Sequence, residues 1–218
     1  MKQKLGMITV GLLLTANLFA QKASYYKDKS FRKETSEKKA KFKKTEFYKG
    51  DTLVIQSRRI FDNLVLEESK WIENKAVGTW TKHDLKGKLI SSRNFGVLIY
   101  SNEPIDGVYD NTKENDGCTN CELATYSTGE SGMFQFMATN ISYPSESKDK
   151  GSSGSVYIRF MIDKEGNTTP HSIMKGVDPF LDLETWQLIE KMTKWNPATK
   201  NGSPIESYWS LPVRFTLR

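Results

Sequence analysis

The chain has 218 residues, of which 37% are hydrophobic and 27% charged, so it can bury a core and is not disordered throughout. Its formal net charge of +6 at pH 7 would suit a nucleic-acid-binding protein, but the excess is local. Residues 21–49 hold eleven Lys or Arg against four Asp or Glu, whereas residues 50–218 are mildly acidic. The composition therefore argues against a body built to bind nucleic acid.

Residues 1–20 are predicted to be a secretory signal peptide. Two lysines precede an uncharged run over residues 5–21, and Ala20 supplies a small residue where a peptidase could cut. This run falls short of the roughly 20 apolar residues that a membrane-spanning helix needs. We therefore expect export, and the alternative is an uncleaved inner-membrane anchor formed by residues 5–21.

Residues 21–50 contain few aliphatic side chains and show no steady apolar period, which predicts a solvated, partly helical basic leader. The alternative is a membrane-surface contact through residues 22–49. A Lys or Arg close to anionic lipid headgroups gains about 1 kcal/mol.

Residues 51–100 show the pattern of short strands separated by turns, which predicts an antiparallel β-meander. Within this region, KAVGTWTKHDLKGKLISSRNF (residues 75–95) contains a Gly-x-Trp followed by a glycine turn. This segment resembles a MORN-type hairpin unit, and the resemblance bears on fold alone.

Residues 101–132 are rich in Gly, Asn, Asp, Ser and Thr and are predicted to be a linker. They contain Cys118 and Cys121 in the sequence DGCTNCEL, and an exported chain would oxidise such a pair to a local disulfide. The alternatives are half of a zinc site and a redox-active dithiol. For zinc, the only further soft ligands are His83 and His171, which lie far apart in the sequence.

Residues 133–218 carry the clearest pattern and are predicted to form one domain. Residues 155–163 alternate as a half-buried strand, a turn ends at Gly166, and residues 170–176 form a second strand. The buried face of the first strand is predicted to contain Val156, Ile158, Phe160 and Ile162.

A helix is predicted to follow, with Asp178 as its N-cap and Pro179 at its first position. Trp186 lies off its apolar stripe and is expected to cover a neighbouring element. The stripe itself consists of Leu181, Thr185, Leu188, Ile189, Met192 and Trp195.

Residues 205–217 alternate as a last strand whose odd-numbered positions face the helix. Pro212 lies within it, and because proline has no N–H to donate, the strand is predicted to lie at a sheet edge. Pro212 and Arg214 then either protect that edge from unwanted pairing or flank an edge that accepts a peptide strand. The residues alone do not choose between these interpretations.

Several motifs occur together in the segment from Phe134 to Leu217: Tyr143-Pro144, the strand and turn from Gly154, MKGVDPFLD, KMTKWNPA, KNGSPI and LPVRFTL. In this order they resemble the C-terminal domain of the TonB family, periplasmic proteins that contact outer-membrane transporters of Gram-negative bacteria. The resemblance implies an α+β fold, with a small antiparallel three-stranded sheet covered by helices and preceded here by the meander. It also implies that Trp195, Pro197 and Gly202 are structural.

The resemblance implies a periplasmic protein that binds outer-membrane TonB-dependent transporters, or other envelope proteins, by adding a strand at its last strand. The expected partner-binding residues are Tyr143, Pro144, Ile205, Glu206, Ser207, Tyr208, Trp209, Ser210 and Leu211. A homodimer is a further expectation to be tested. Because no catalytic motif, phosphate-binding loop or ligand cluster occurs, we expect neither an enzyme nor a cofactor.

The sequence also departs from the family's energy transducers, which keep an uncleaved anchor followed by a Pro-rich rod. Residues 21–140 contain one proline, Pro104, and the meander takes the place of a rod. Two alternatives therefore stay open: a structural envelope adaptor without a transport role, and a genuine energy transducer if the N-terminal segment is an uncleaved anchor.

Overall fold

The computed structural model describes residues 22–102, 120–192 and 195–217. These residues divide into two compact units, the first made of residues up to 74 with 79–93, and the second made of residues 75–78 with those from 94 onward. In the described part of the chain, no helix combines the length and the apolar character needed to cross a membrane. The predicted signal peptide over residues 1–20 lies outside the described residues.

The first unit is an antiparallel sheet in which strands β1, β2, β3, β4, β6 and β7 are hydrogen-bonded in that order. The first seven strands of the chain are β1 (Lys22–Tyr26), β2 (Phe42–Lys49), β3 (Thr52–Arg59), β4 (Val65–Ile72), β5 (Lys75–Ala76), β6 (Thr79–His83) and β7 (Leu89–Asn94). A short 3₁₀ helix, Glu37–Lys39, precedes β2, and another, Phe95–Val97, follows β7. The predicted meander is confirmed.

The meander begins earlier than the sequence predicted. Residues 21–50 were expected to be a separate, partly helical leader, but residues within this range supply β1 and β2 of the sheet. The strand pattern is hard to recognise there because the buried positions are aromatic or Thr and lysines stand between them. Tyr26 and Phe42 form a small apolar cluster with Leu66, and Thr45 is also buried.

The second unit contains the three described α-helices and eight strands from β8 onward. In chain order they are β8 (Cys121–Glu122), β9 (Thr125–Tyr126), α1 (Gly129–Asn140), α2 (Ser145–Lys150), β10 (Gly154–Ile162), β11 (Thr168–Lys175), α3 (Pro179–Lys191), β12 (Trp195–Asn196), β13 (Ala198–Lys200), β14 (Ser203–Ile205) and β15 (Ser207–Phe215). The main sheet has the order β11-β10-β15, and two smaller sheets pair β14-β13-β8 and β12-β9. The predicted α+β class is confirmed.

The core of this unit lies between the main sheet and α3. The predicted inner face of β10, namely Val156, Ile158, Phe160 and Ile162, is completely buried. It packs with Leu181 and Ile189 of α3 in one apolar cluster. Helix α3 starts where predicted, because the Asp178 carboxylate accepts hydrogen bonds from the N–H groups of Phe180 and Leu181.

The spacing of the apolar residues placed Trp195 on the helix, but the structure does not. Helix α3 ends at Lys191, and Trp195 instead lies in β12, where it pairs with Tyr126 of β9. Its ring is buried and contacts the edge of the Tyr126 ring at 5.5 Å. Trp195 matched the helical period although it lies beyond the helix. A residue that follows a helix can reach the same core from a strand.

The segment predicted as a linker also contributes to the second unit. Cys121 pairs with Lys200 of β13, and helix α1 starts at Gly129. Residues 120–132 therefore belong to the folded domain. Strands of two residues carry no recognisable period, which explains why Gly- and Asn-rich sequence suggested a loop here.

Candidate functional site

Strand β15 lies at one edge of the main sheet. It pairs with β10 in an unbroken antiparallel register that runs from Gly154 opposite Phe215 to Ile162 opposite Ser207. Within the described residues, no strand pairs with its other side. The edge position that Pro212 predicted is therefore what the fold contains.

Pro212 also shows which backbone groups of β15 point outward. It stands opposite Tyr157, and since proline has no N–H, its backbone faces away from β10. Along an unbroken antiparallel strand the direction alternates, so Tyr208, Ser210 and Arg214 share the outward orientation. The open edge thus presents three N–H donors and, with the Pro212 carbonyl, four acceptors.

The side chains of β15 divide between two faces. Leu211, Val213 and Phe215 are buried in the core, whereas Pro212 and Arg214 are exposed. The other face is covered at one position, because Ser210 is 6% exposed and its hydroxyl donates to the Met174 sulfur at 3.4 Å. The even-numbered side chains are thus exposed at the C-terminal half of β15 and covered at Ser210.

Tyr208 lies on the same face as Ser210. Its ring meets the edge of the His171 ring at a centroid distance of 5.3 Å. Both residues are half-buried or exposed, so this pair is a surface contact beside the open edge.

The opposite edge of the main sheet is occupied by the chain itself. The Ile173 N–H of β11 donates to the Ile99 carbonyl at 2.7 Å, and the Ser101 N–H donates to the Ile173 carbonyl at 3.0 Å. Tyr100 forms a parallel bridge with Ile173 between these two bonds. The sequence did not indicate this contact, since residues 98–100 resembled another meander strand. Its effect is that β15 provides the open edge of the main sheet in the described part of the chain.

The expected partner-binding residues are only partly brought together. Ile205 belongs to β14 and pairs with Ala198, and Glu206 lies between β14 and β15. The strand predicted over residues 205–217 therefore starts at Ser207. Asn201 and Gly202 both have positive φ, which makes a tight hairpin that turns β14 back onto β13 and breaks the alternation.

Tyr143 and Pro144 lie at the other end of β15. The Tyr143 ring contacts the edge of the Phe215 ring at 5.7 Å, and its hydroxyl donates to the Ser152 carbonyl. Pro144 is buried at the start of α2. Phe215 is about 26 Å along the strand from Ser207, at roughly 3.3 Å per residue. The two groups of predicted residues thus flank opposite ends of one edge.

An aromatic cluster lies beneath the Ser207 end of β15. The Trp209 and Trp195 rings are 5.0 Å apart. The indole nitrogens of both residues and the Ser207 hydroxyl are buried without a hydrogen-bond partner among the described residues. Buried donors without a partner cost stability.

A buried acid joins the segment after the meander to helix α3. The Asp182 carboxylate accepts hydrogen bonds from the Tyr100 hydroxyl and the Val177 N–H, both at 2.9 Å. Burial is the largest influence and raises the pKa of Asp182 to about 6, although both hydrogen bonds act in the opposite direction. Burial and the Asp182 charge raise the pKa of Tyr100 in turn. The pair links two elements of the fold.

Metal and redox chemistry were the alternatives for the two cysteines. Among the residues that the structure describes, no group of three or more His, Cys, Asp or Glu side chains could hold a metal ion. Cys121 is disulfide-bonded, and its predicted partner, Cys118, lies outside the described residues.

Comparison with known proteins identifies the domain that carries the open edge. Residues 139–217 match the family described as Gram-negative bacterial TonB protein C-terminal, while searches of curated proteins and of solved structures found no match. Domains of this family are protein-interaction modules of envelope proteins, not enzymes, and they interact with outer-membrane TonB-dependent receptors. Residues 139–217 of this chain therefore form a domain of the TonB C-terminal family.

Proposed function

We propose that the protein acts in the periplasm and binds an extended segment of an outer-membrane TonB-dependent receptor by strand addition along β15. The observation that carries this proposal is the difference between the two edges of the main sheet. Residues 99–101 close one edge through backbone hydrogen bonds to Ile173, whereas the side of β15 that faces away from β10 has no paired strand in the described chain. A free edge offers the main-chain hydrogen bonds on which strand addition depends.

The outward groups of β15 set the register of the added strand. The N–H groups of Tyr208 and Ser210 precede Pro212, and that of Arg214 follows it. Since Pro212 offers a carbonyl but no donor, the incoming strand loses one hydrogen bond there. We therefore place the main contact on residues 207–211, with Ile205 and Glu206 outside the strand. A net contribution of about 1 kcal/mol per hydrogen bond makes a short docked segment a moderate, reversible ligand.

The docked segment can extend beyond this core contact in one direction. Arg214 is exposed past Pro212, and Tyr143 packs on Phe215 at that end. Tyr143 would then contact a longer segment, and neither Tyr143 nor the buried Pro144 would take part in the binding of a short one. Energy transduction is not part of the proposal, because it depends on residues 1–21, which lie outside the described residues.

The proposal is tested with a matched pair of variants at Tyr208. Tyr208→Pro removes one outward N–H and leaves the inward hydrogen bonds to β10 intact, whereas Tyr208→Ala removes the same ring and keeps the N–H. With synthetic peptides that cover the periplasmic N-terminal segments of TonB-dependent receptors, titration calorimetry is expected to show about tenfold weaker binding for Tyr208→Pro. The loss of a hydrogen bond and the clash of the ring both oppose pairing.

Tyr208→Ala serves as the control for Tyr208→Pro in the same titration. Tyr208→Ala is expected to bind within about threefold of the wild-type protein, since a lost surface contact changes affinity little. Equal binding by wild type and Tyr208→Pro would refute docking at this edge. Amide exchange by NMR gives an independent measurement, because docking should protect the N–H groups of Tyr208 and Ser210 and leave that of Trp209, already bonded to β10, unchanged.

A further inference from the structure

Three connections of the first unit lie together at one end of its sheet. They are residues 27–41 between β1 and β2, residues 60–64 between β3 and β4, and residues 84–88 between β6 and β7, here called the basic loop end. The Ile60 N–H donates to the Lys41 carbonyl at 2.9 Å, and Arg59 Nη1 donates to the Leu85 carbonyl at 2.7 Å. These two bonds join all three connections into one surface.

The basic loop end carries a concentration of exposed positive charge. Residues 27–41 contain seven Lys or Arg against three Asp or Glu, and residues 84–88 add two lysines against one aspartate. The seven basic side chains of the first connection are all exposed, and none forms an ion pair with a carboxylate in the described part of the chain. They are Lys27, Lys29, Arg32, Lys33, Lys38, Lys39 and Lys41. Their charge is therefore available to a partner.

Apolar side chains project from the same end. Phe61 is 81% exposed, and Ile60 and Leu85 are 37% and 41% exposed. Three such side chains on adjoining loop tips leave apolar surface in water, which a membrane interface would cover. The aliphatic side chains of Ile60 and Leu85 would gain little from contact with a polyanion in water, so their exposure favours a lipid surface over other anionic partners.

The loop tips are held in place before any partner binds. Arg59 forms two hydrogen bonds with the Asp62 carboxylate, and its guanidinium lies 4.5 Å from the centre of the Phe61 ring. In the first connection, Phe31 has φ of +52° and packs its ring between Tyr26 and Phe42, at 5.2 and 5.9 Å. Aromatic packing thus stabilises a backbone conformation that a Phe rarely adopts. Such ordering lowers the entropic cost of binding.

We propose that the basic loop end is a membrane-surface contact that binds anionic phospholipid bilayers, with the Phe61, Ile60 and Leu85 tips entering the headgroup region and the surrounding lysines facing the lipid charges. The charge complementarity and the apolar tips together specify this occupant. The inference concerns the first unit and does not rest on peptide docking at β15, which lies in the second.

The test is co-sedimentation of residues 22–218 with phosphatidylglycerol and phosphatidylethanolamine vesicles, and with phosphatidylcholine vesicles. This chain keeps every described residue and removes the apolar run over residues 5–21, which would bind lipid by itself. We expect binding to the anionic vesicles that weakens as salt is added, and little binding to phosphatidylcholine. Equal binding to both kinds of vesicle, or binding to neither, would overturn the proposal.

Two matched pairs of variants separate charge from apolar insertion. The double substitution Lys38→Glu with Lys39→Glu is expected to weaken binding about 30-fold or more, because each lysine near the lipid surface contributes roughly fivefold to the affinity. The control is Lys49→Glu with Lys164→Glu, which has the same net charge. Lys49 is at the other end of β2 and Lys164 belongs to the second unit, so this control should change binding little. Phe61→Ser is expected to weaken binding about tenfold, whereas Tyr48→Ser, at the far end of β2 and 50% exposed, should not.

The variants are also expected to keep their thermal stability, since each changed side chain is exposed. If the two lysine pairs weaken binding equally, only net charge matters and the surface assignment is wrong. If Phe61→Ser binds vesicles as wild type does, and a single-stranded oligonucleotide competes fully, the surface binds soluble polyanions and the membrane proposal fails.

Discussion

At the scale of single residues, the buried carboxyl of Asp182 links pH to the stability of the second unit. Its pKa is raised to about 6 in the folded protein, mainly by burial, with the neighbouring charge of Asp178 acting in the same direction. In an unfolded chain an aspartate titrates near 3.9. Between about pH 4 and pH 6 the folded state therefore holds a proton that the unfolded state has released. The contribution of Asp182 to stability falls as pH rises through this window and is constant above it.

The substitution Asp182→Asn isolates this effect. Its amide oxygen can still accept the Val177 N–H, but the side chain no longer titrates. From pH 4 to pH 7 we expect the stability of the variant relative to wild type to increase by about 2 kcal/mol, most of the value of a shift of roughly two pKa units. Urea unfolding at several pH values measures the difference, in which the other carboxyls cancel. A difference that does not depend on pH would contradict the buried, proton-binding state.

At the scale of elements, the hairpin between β10 and β11 depends on a glycine. Gly166 has φ of +81°, and the Trp195 N–H donates to its carbonyl at 3.2 Å. A Cβ at this position would lie 2.0 Å from the Trp195 carbonyl oxygen. The hairpin and β12 can therefore approach each other only because this residue has no side chain.

Gly166→Ala is expected to destabilise the protein by about 3 kcal/mol or more, because backbone strain and a steric clash act together. Gly202→Ala is the matched control, since its φ of +76° is similar and no neighbouring atom lies within 4 Å of the place that an added Cβ would take. It should cost about 1 kcal/mol from strain alone. Equal losses for the two variants in denaturant unfolding would show that the Trp195 contact is not limiting.

At the scale of the whole molecule, the folded domain extends beyond the segment that matches the family. Residues 139–217 carry the match, yet residues 94–102 contribute the completely buried Phe95, whose ring packs edge-on against Phe180 at 5.4 Å. The same segment supplies the Tyr100 hydrogen bond to Asp182 and the backbone bonds to Ile173. The segment after the meander is therefore part of the second unit.

A fragment that starts at residue 94 is expected to fold cooperatively, whereas one that starts at residue 139 should melt at least 10 °C lower or fail to fold. Loss of a buried Phe alone costs about 3–5 kcal/mol, and a domain of this size changes its melting temperature by several degrees per kcal/mol. Calorimetry of the two fragments measures the difference. The same melting temperature for both would show that residues 94–138 are dispensable for the fold.

The sequence by itself was sufficient for the parts of the fold that depend on local chemistry. The alternation of residues 155–163, the cap at Asp178 with Pro179, and the edge position that Pro212 requires are all present in the structure. Each of these features follows from the spacing of apolar residues or from a hydrogen-bonding group that a residue has or lacks. These properties of the sequence do not depend on the tertiary surroundings.

Only the tertiary structure decided which distant segments meet. The pairing of residues 99–101 with Ile173, the placement of Trp195 in a strand and the entry of residues 22–49 into the meander rest on contacts between residues far apart in the chain. No local period records such contacts, because a short strand is stabilised by its neighbour and not by its own pattern. Pro212 predicted an edge, but only the closure of the opposite edge left β15 as the open edge in the described chain.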